Sequence, residues 1–143
     1  MFDQIKNILQ NYNGTWKNIG EVWAFSCTIA ERKTFLLTKK LTYNARFKIY
    51  EPQKLIVFSE MLVETGSGLS SGSSDNGMSA GFGFKAESYN TVNGGREGNI
   101  EEQSTLFGKK FEYKFDYKEV RSKLEKLAAD TGYGLRYQIM PVK

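Results

Sequence analysis

The sequence predicts an α+β domain: a mainly antiparallel, strongly curved sheet or incomplete barrel, with a short N-terminal helix and a C-terminal helix followed by a last strand. Three observations predict it. Apolar residues recur at every second position through most of the chain after Thr15, the spacing of half-buried strands. Successive strand-like runs are joined by short turns, without the helical crossovers a doubly wound parallel sheet needs. Helical spacing of apolar residues is confined to two stretches, one near each end. At 143 residues and 40% hydrophobic content, the chain can bury one core, so 1–143 is read as a single domain.

Taken in order, Phe2, Ile5, Ile8, Leu9 and Tyr12 define a short amphipathic helix that Asn13-Gly14 ends. "EVWAFSCTI" then alternates, with Trp23, Phe25, Cys27 and Ile29 on one face and Ala24, Ser26 and Thr28 on the other. "TFLLT", at 34–38, is a shorter strand candidate. "LTYNARFKIY" alternates again, placing Leu41, Tyr43, Ala45, Phe47 and Ile49 opposite a polar face of Thr42, Asn44, Arg46, Lys48 and Tyr50. The turn "EPQK" leads into "LIVFSEMLVE", which makes 41–64 an antiparallel hairpin.

The stretch 65–98 holds nine of the fourteen glycines and seven serines, together with Phe82, Phe84 and Tyr89. It divides into a mobile Gly/Ser-rich loop at 65–78, a glycine-softened strand at 79–89 and a second loop at 90–98. "NIEEQSTLF" and "KKFEYKFDY" follow as two strands, the second alternating Phe111, Tyr113 and Phe115 against charged residues. Asp116, with Glu119 three residues on, caps a helix whose buried stripe is Tyr117, Val120, Leu124, Leu127 and Ala128 and which Gly132 ends. "YGLRYQIMPV" returns as the final strand.

Composition removes several function classes. The chain has no histidine, which takes away Ser-His and Cys-His nucleophile pairs, the usual zinc ligand sets and the commonest base near neutral pH. No metal site and no cofactor are expected. Cys27 is the only cysteine and sits on the apolar alternation, so it reads as a core thiol. Glu101 and Glu102 are adjacent on a strand and point to opposite faces, while Glu60 with Glu64 and Glu87 with Glu97 could meet only through folding. The reading is therefore against an enzyme. No run of eighteen apolar residues suggests a membrane span, and the polar residues Asp3, Gln4, Lys6 and Asn7 break any signal-peptide core, so the chain is expected to be cytoplasmic.

Two binding motifs can be weighed. Gly81-Phe82-Gly83-Phe84 matches the centre of an RNA-binding aromatic octamer, but Ala80, Lys85 and Glu87 stand where that octamer has a basic, a β-branched and an aromatic residue. A core strand explains Phe82, Phe84 and Ala86 on one face equally well. "GSGLSSG" has neither the dinucleotide spacing, since Ser71 occupies a required glycine position, nor a following Gly-Lys-Ser/Thr. The net charge of +4 is uneven: residues 32–54 carry +6 and 55–108 carry −5. Such blocks can pair with each other or form a basic face.

The expected function is a non-enzymatic cytoplasmic interaction domain that engages another protein through its glycine-rich loops and the adjoining sheet face. The candidate partner-binding residues are Arg46, Lys48, Tyr50, Gly81, Phe82, Gly83, Phe84, Lys85 and Arg96. Two alternatives stand beside it: RNA held on a basic and aromatic sheet face by Arg46, Lys48 and the aromatics at 82–89, or a small apolar ligand inside a barrel-like sheet, near Trp16 and Trp23.

Overall fold

The computed structural model describes residues 1–33, 37–68, 84–86, 99–106 and 109–143. Helix α1 spans Phe2–Leu9 and buries Ile5 and Leu9, two of the five residues its spacing selects; Phe2 and Ile8 are half-buried, and Tyr12 lies past the helix's end. Strands β1 (Gly14–Ile19), β2 (Val22–Lys33), β3 (Leu37–Tyr50) and β4 (Leu55–Gly68) then follow one another as antiparallel neighbours. After them come β5 (Phe84–Ala86), β6 (Asn99–Leu106), β7 (Lys109–Asp116), helix α2 (Tyr117–Thr131) and β8 (Gly134–Tyr137).

Two sheets result. The first has the order β1-β2-β3-β4-β8 and is open, with β8 lying parallel to β4 at one edge; the second is β5-β6-β7. The fold is thus α+β with a mostly antiparallel sheet. Its one parallel pair comes from topology: α2 returns the chain so that β8 runs alongside β4 in the same direction.

Register shows why the two faces differ. Trp23, Phe47, Phe58 and Tyr137 lie opposite one another across four strands, and this face is covered by the helices. Phe47 stacks on Phe58 at 5.0 Å, Phe2 of α1 stacks on Trp23 at 3.9 Å, and Phe115 of β7 meets Tyr43 at 4.7 Å. Val120, Leu124 and Ala128 of α2 complete the same core. Among the described residues this face is occupied by packed aromatic and aliphatic side chains.

Local signals explain the ends of elements. Asp116 accepts a 2.7 Å hydrogen bond from the Lys118 amide and caps α2, while Gly132, at φ 71°, ends it in a left-handed turn. Between β3 and β4 the Lys54 amide donates to the Glu51 carbonyl, and Lys54 itself takes φ 46°. Strand β4 continues to Gly68, four residues into the stretch expected as a loop from 65. Residues 69–83, 87–98, 34–36 and 107–108 lie outside the described residues, and with them most of the expected loops at 65–78 and 90–98 and most of the expected strand at 79–89.

Candidate functional site

The outer face of the five-stranded sheet, opposite the helices, is where cations and apolar side chains are set side by side. Register aligns Val22, Lys48, Val57 and Arg136 in one row across β2, β3, β4 and β8. The next row runs through Ala24, Arg46 and Ser59. The expected grouping of Arg46, Lys48 and Tyr50 on one side of β3 follows from the same alternation.

The chain after β8 lies across this face. Val142 is buried against Val22 and Val57, its amide donates to Ser59 Oγ at 3.0 Å, and its carbonyl accepts from Arg46 Nη1 at 3.3 Å. Arg46 therefore fastens the C-terminal segment. Lys48 is also engaged within the chain: its Nζ lies 2.9 Å from Glu21 Oε2 and 5.2 Å from the Tyr50 ring centroid. The hydrogen bond from Lys48 holds the Glu21 carboxyl below its usual value, and the same contact raises the Lys48 ammonium.

Between the β3–β4 turn and this C-terminal segment lies a groove of about 580 Å³, within the range of ligand sites. Leu55, Val57, Val142 and the Tyr50 ring give it an apolar lining, and Arg136 and Lys143 supply positive charge. Arg136 and Lys143 are both exposed, and neither forms an ion pair among the described residues. Met140, 72% exposed, also borders the groove. The arrangement can hold a group that is apolar on one side and anionic on the other.

A second polar cluster is sealed under the helices. Glu60 is 2% exposed, accepts from Tyr43 Oη at 2.7 Å and pairs with Arg121 Nη2 at 3.0 Å. The Arg121 guanidinium in turn lies 4.4 Å from the Tyr137 ring centroid. A carboxylate enclosed in this way ties α2 to β3 and β4. Glu64, its imagined acid-base partner, sits four positions along β4 at the register position facing Leu41.

The sequence-derived candidates do not converge on one place. Arg46, Lys48 and Tyr50 belong to the five-stranded sheet, whereas Phe84 and Lys85 belong to β5, paired in register with Glu102 and Glu101. Gly81, Phe82, Gly83 and Arg96 lie outside the described residues. Arg136, Met140 and Lys143 were not among the candidates. Arg136 had a usable signal: in "YGLRYQ" it alternates against Leu135 and Tyr137, so it had to face away from the core.

Among the described residues no group of three acidic or cysteine side chains could hold a metal ion, and no helix is long and apolar enough to cross a membrane. No protein-family model matches the chain, no curated protein matches it in sequence, and no solved structure matches it.

Proposed function

We propose that this chain is a non-enzymatic cytoplasmic binding domain that holds an acidic segment of another protein in the outer-face groove. The observation that carries the reading is the pairing, in one groove, of an apolar lining with two cations, Arg136 and Lys143, that have no carboxylate partner among the described residues. Arg46 and Lys48 are already engaged within the chain: one fastens the groove's wall through the Val142 carbonyl, and the other is paired with Glu21. The absence of histidine from the chain and the enclosure of Glu60 favour binding over catalysis.

The test is fluorescence anisotropy with a labelled peptide of alternating Glu and Leu, compared with the same peptide carrying Gln for Glu. The wild-type domain is expected to bind the acidic peptide more tightly. The double reversal Arg136→Glu, Lys143→Glu is expected to abolish that preference at an unchanged melting temperature. Equal binding of the Glu and Gln peptides would overturn the reading. Two cations predict a shallow salt dependence, so tight binding of oligouridylate that falls steeply with salt would move the assignment to nucleic acid.

A further inference from the structure

We infer that the outer edge of β1 is a self-complementary interface through which two copies of this chain pair their β1 strands antiparallel. The inference is independent of the groove. It starts from the β1–β2 hairpin, whose loop is only Gly20-Glu21, closed by the pair Ile19 and Val22, with Gly20 at φ 66°. A positive φ at the first loop position suits a two-residue hairpin turn, and the pair closing such a loop exchanges both of its backbone hydrogen bonds.

Alternation then assigns every other residue of the strand. Ile19, Lys17 and Thr15 direct their N–H and C=O groups to β2, so Asn18, Trp16 and Gly14 direct theirs outward. Strand β1 is the terminal strand in the sheet order, and among the described residues no strand pairs with that outward edge. All of β1 except Trp16 is exposed, and Ile19 retains 57% exposure. Monomeric proteins protect such edges with prolines, bulges, charged side chains, very short strands or a covering helix or loop. This one has no proline, an uninterrupted register with β2 and a single charged residue, Lys17.

The outward residues Gly14, Trp16 and Asn18 are spaced symmetrically about Trp16, so a second copy turned by a two-fold axis matches every one of them, and charge and parity fix the register of that pair. A two-fold axis perpendicular to the sheet keeps each residue on its own face, so only residues of the same parity can stand opposite. Two registers overlap the strands well. One places Lys17 against Lys17 of the second copy, which sets like charges opposite each other. The other places Trp16 against Trp16, Gly14 against Asn18 and Thr15 against Lys17. This second register brings an aromatic pair together on the helix-covered face, avoids the charge clash and uses every outward backbone group for about six inter-chain hydrogen bonds. Pairing in this way makes the two five-stranded sheets one continuous sheet.

The experiment is sedimentation equilibrium of the full chain over a concentration series, with Asn18→Pro as the edge-specific variant. Proline at 18 removes an outward N–H and leaves the bonds to β2 in place, whereas Lys17→Pro removes a bond within the hairpin. Wild type is expected to rise from monomer to twice that mass. Asn18→Pro is expected to stay monomeric with the wild-type melting temperature, and Lys17→Pro to melt lower. Register is read by oxidative cross-linking: an equimolar mixture of Thr15→Cys and Lys17→Cys chains is expected to form a disulfide-linked dimer, and Lys17→Cys alone is not. Cys27 does not interfere, because it is buried and burial raises its thiol to about 11. A wild type that stays monomeric throughout, or an Asn18→Pro variant that dimerises as strongly as wild type, overturns the proposal. Cross-linking of Lys17→Cys alone overturns the register.

Discussion

Replacing Arg121 by Met removes the cation from a carboxylate that has almost no contact with water. The Glu60 side chain is 0% exposed and that of Arg121 is 12% exposed, so their 3.0 Å contact is little weakened by solvent. Breaking a buried pair from one side costs about 3–5 kcal/mol, because the remaining charge keeps its desolvation penalty. The slight exposure of Arg121 points to the lower end, about 3 kcal/mol, or a fall of roughly 6–12 °C in melting temperature at 2–4 °C per kcal/mol. Methionine keeps much of the apolar stem that packs near Tyr137, so the loss reports on charge rather than on a cavity. Glu60→Leu combined with Arg121→Met removes both charges and is expected to recover most of the loss, ending within about 2 kcal/mol of wild type. Tyr43→Phe, which deletes the 2.7 Å bond to Glu60 and keeps the ring, should cost about 1.5–3 kcal/mol. Urea unfolding of wild type, these three variants and Glu60→Leu alone, followed by Trp fluorescence, measures all of these terms. The reasoning fails if Arg121→Met costs less than about 1 kcal/mol, or if the double variant is as unstable as the two single losses added.

Three further perturbations follow from local geometry. Lys54→Gly should stabilise the domain by up to about 1 kcal/mol in the same urea assay, because the turn holds Lys54 at φ 46°, where glycine is unstrained. Gly14→Ala should destabilise by about 1–3 kcal/mol, since its Cβ would collide with the Phe25 ring and lie 2.8 Å from the Ser26 carbonyl oxygen. Burial raises the Cys27 thiol from 9.0 to about 11, and burial aided by Glu119 raises the Tyr12 hydroxyl from 10.0 to about 12. For each group the unfolded chain loses its proton first as pH rises, so stability is full below about pH 9 and declines through the folded values. Urea midpoints measured from about pH 8 to pH 11 should fall, and Cys27→Ala should flatten the earlier part of that decline.

Much of the fold was legible because its signals are local. The period of two in "EVWAFSCTI" and "LTYNARFKIY" identified β2 and β3 and the side each residue faces, and Asp116 and Gly132 marked the ends of α2. What was not legible depends on partners far along the chain. Lys48 and Arg46 looked equivalent on the polar face, yet one is paired with Glu21 across a hairpin and the other with the Val142 carbonyl, ninety-six residues away. No periodicity reports which cations are already engaged. Glu60 is the reverse case: in "LIVFSEML" it falls in step with Ile56 and Phe58, so a carboxylate on the apolar face was readable, and the partner that neutralises it was not.

The groove shows how that non-local information makes a site. Strand β8 could have paired anywhere along the sheet as far as its own four residues specify. Its parallel docking on β4 is held by the bonds from the Gly134 amide to the Lys54 carbonyl and from the Gln138 amide to the Phe58 carbonyl. That register puts Arg136 beside Val57, and the chain beyond β8 then folds over the outer face to place Val142 on Val57 and Val22. A slip of one residue would turn Arg136 toward the aromatic core and Tyr137 toward solvent. The backbone pairing that holds β8 in the sheet, these two bonds and the β4–β8 ladder between them, therefore positions the cation on which the proposed binding depends.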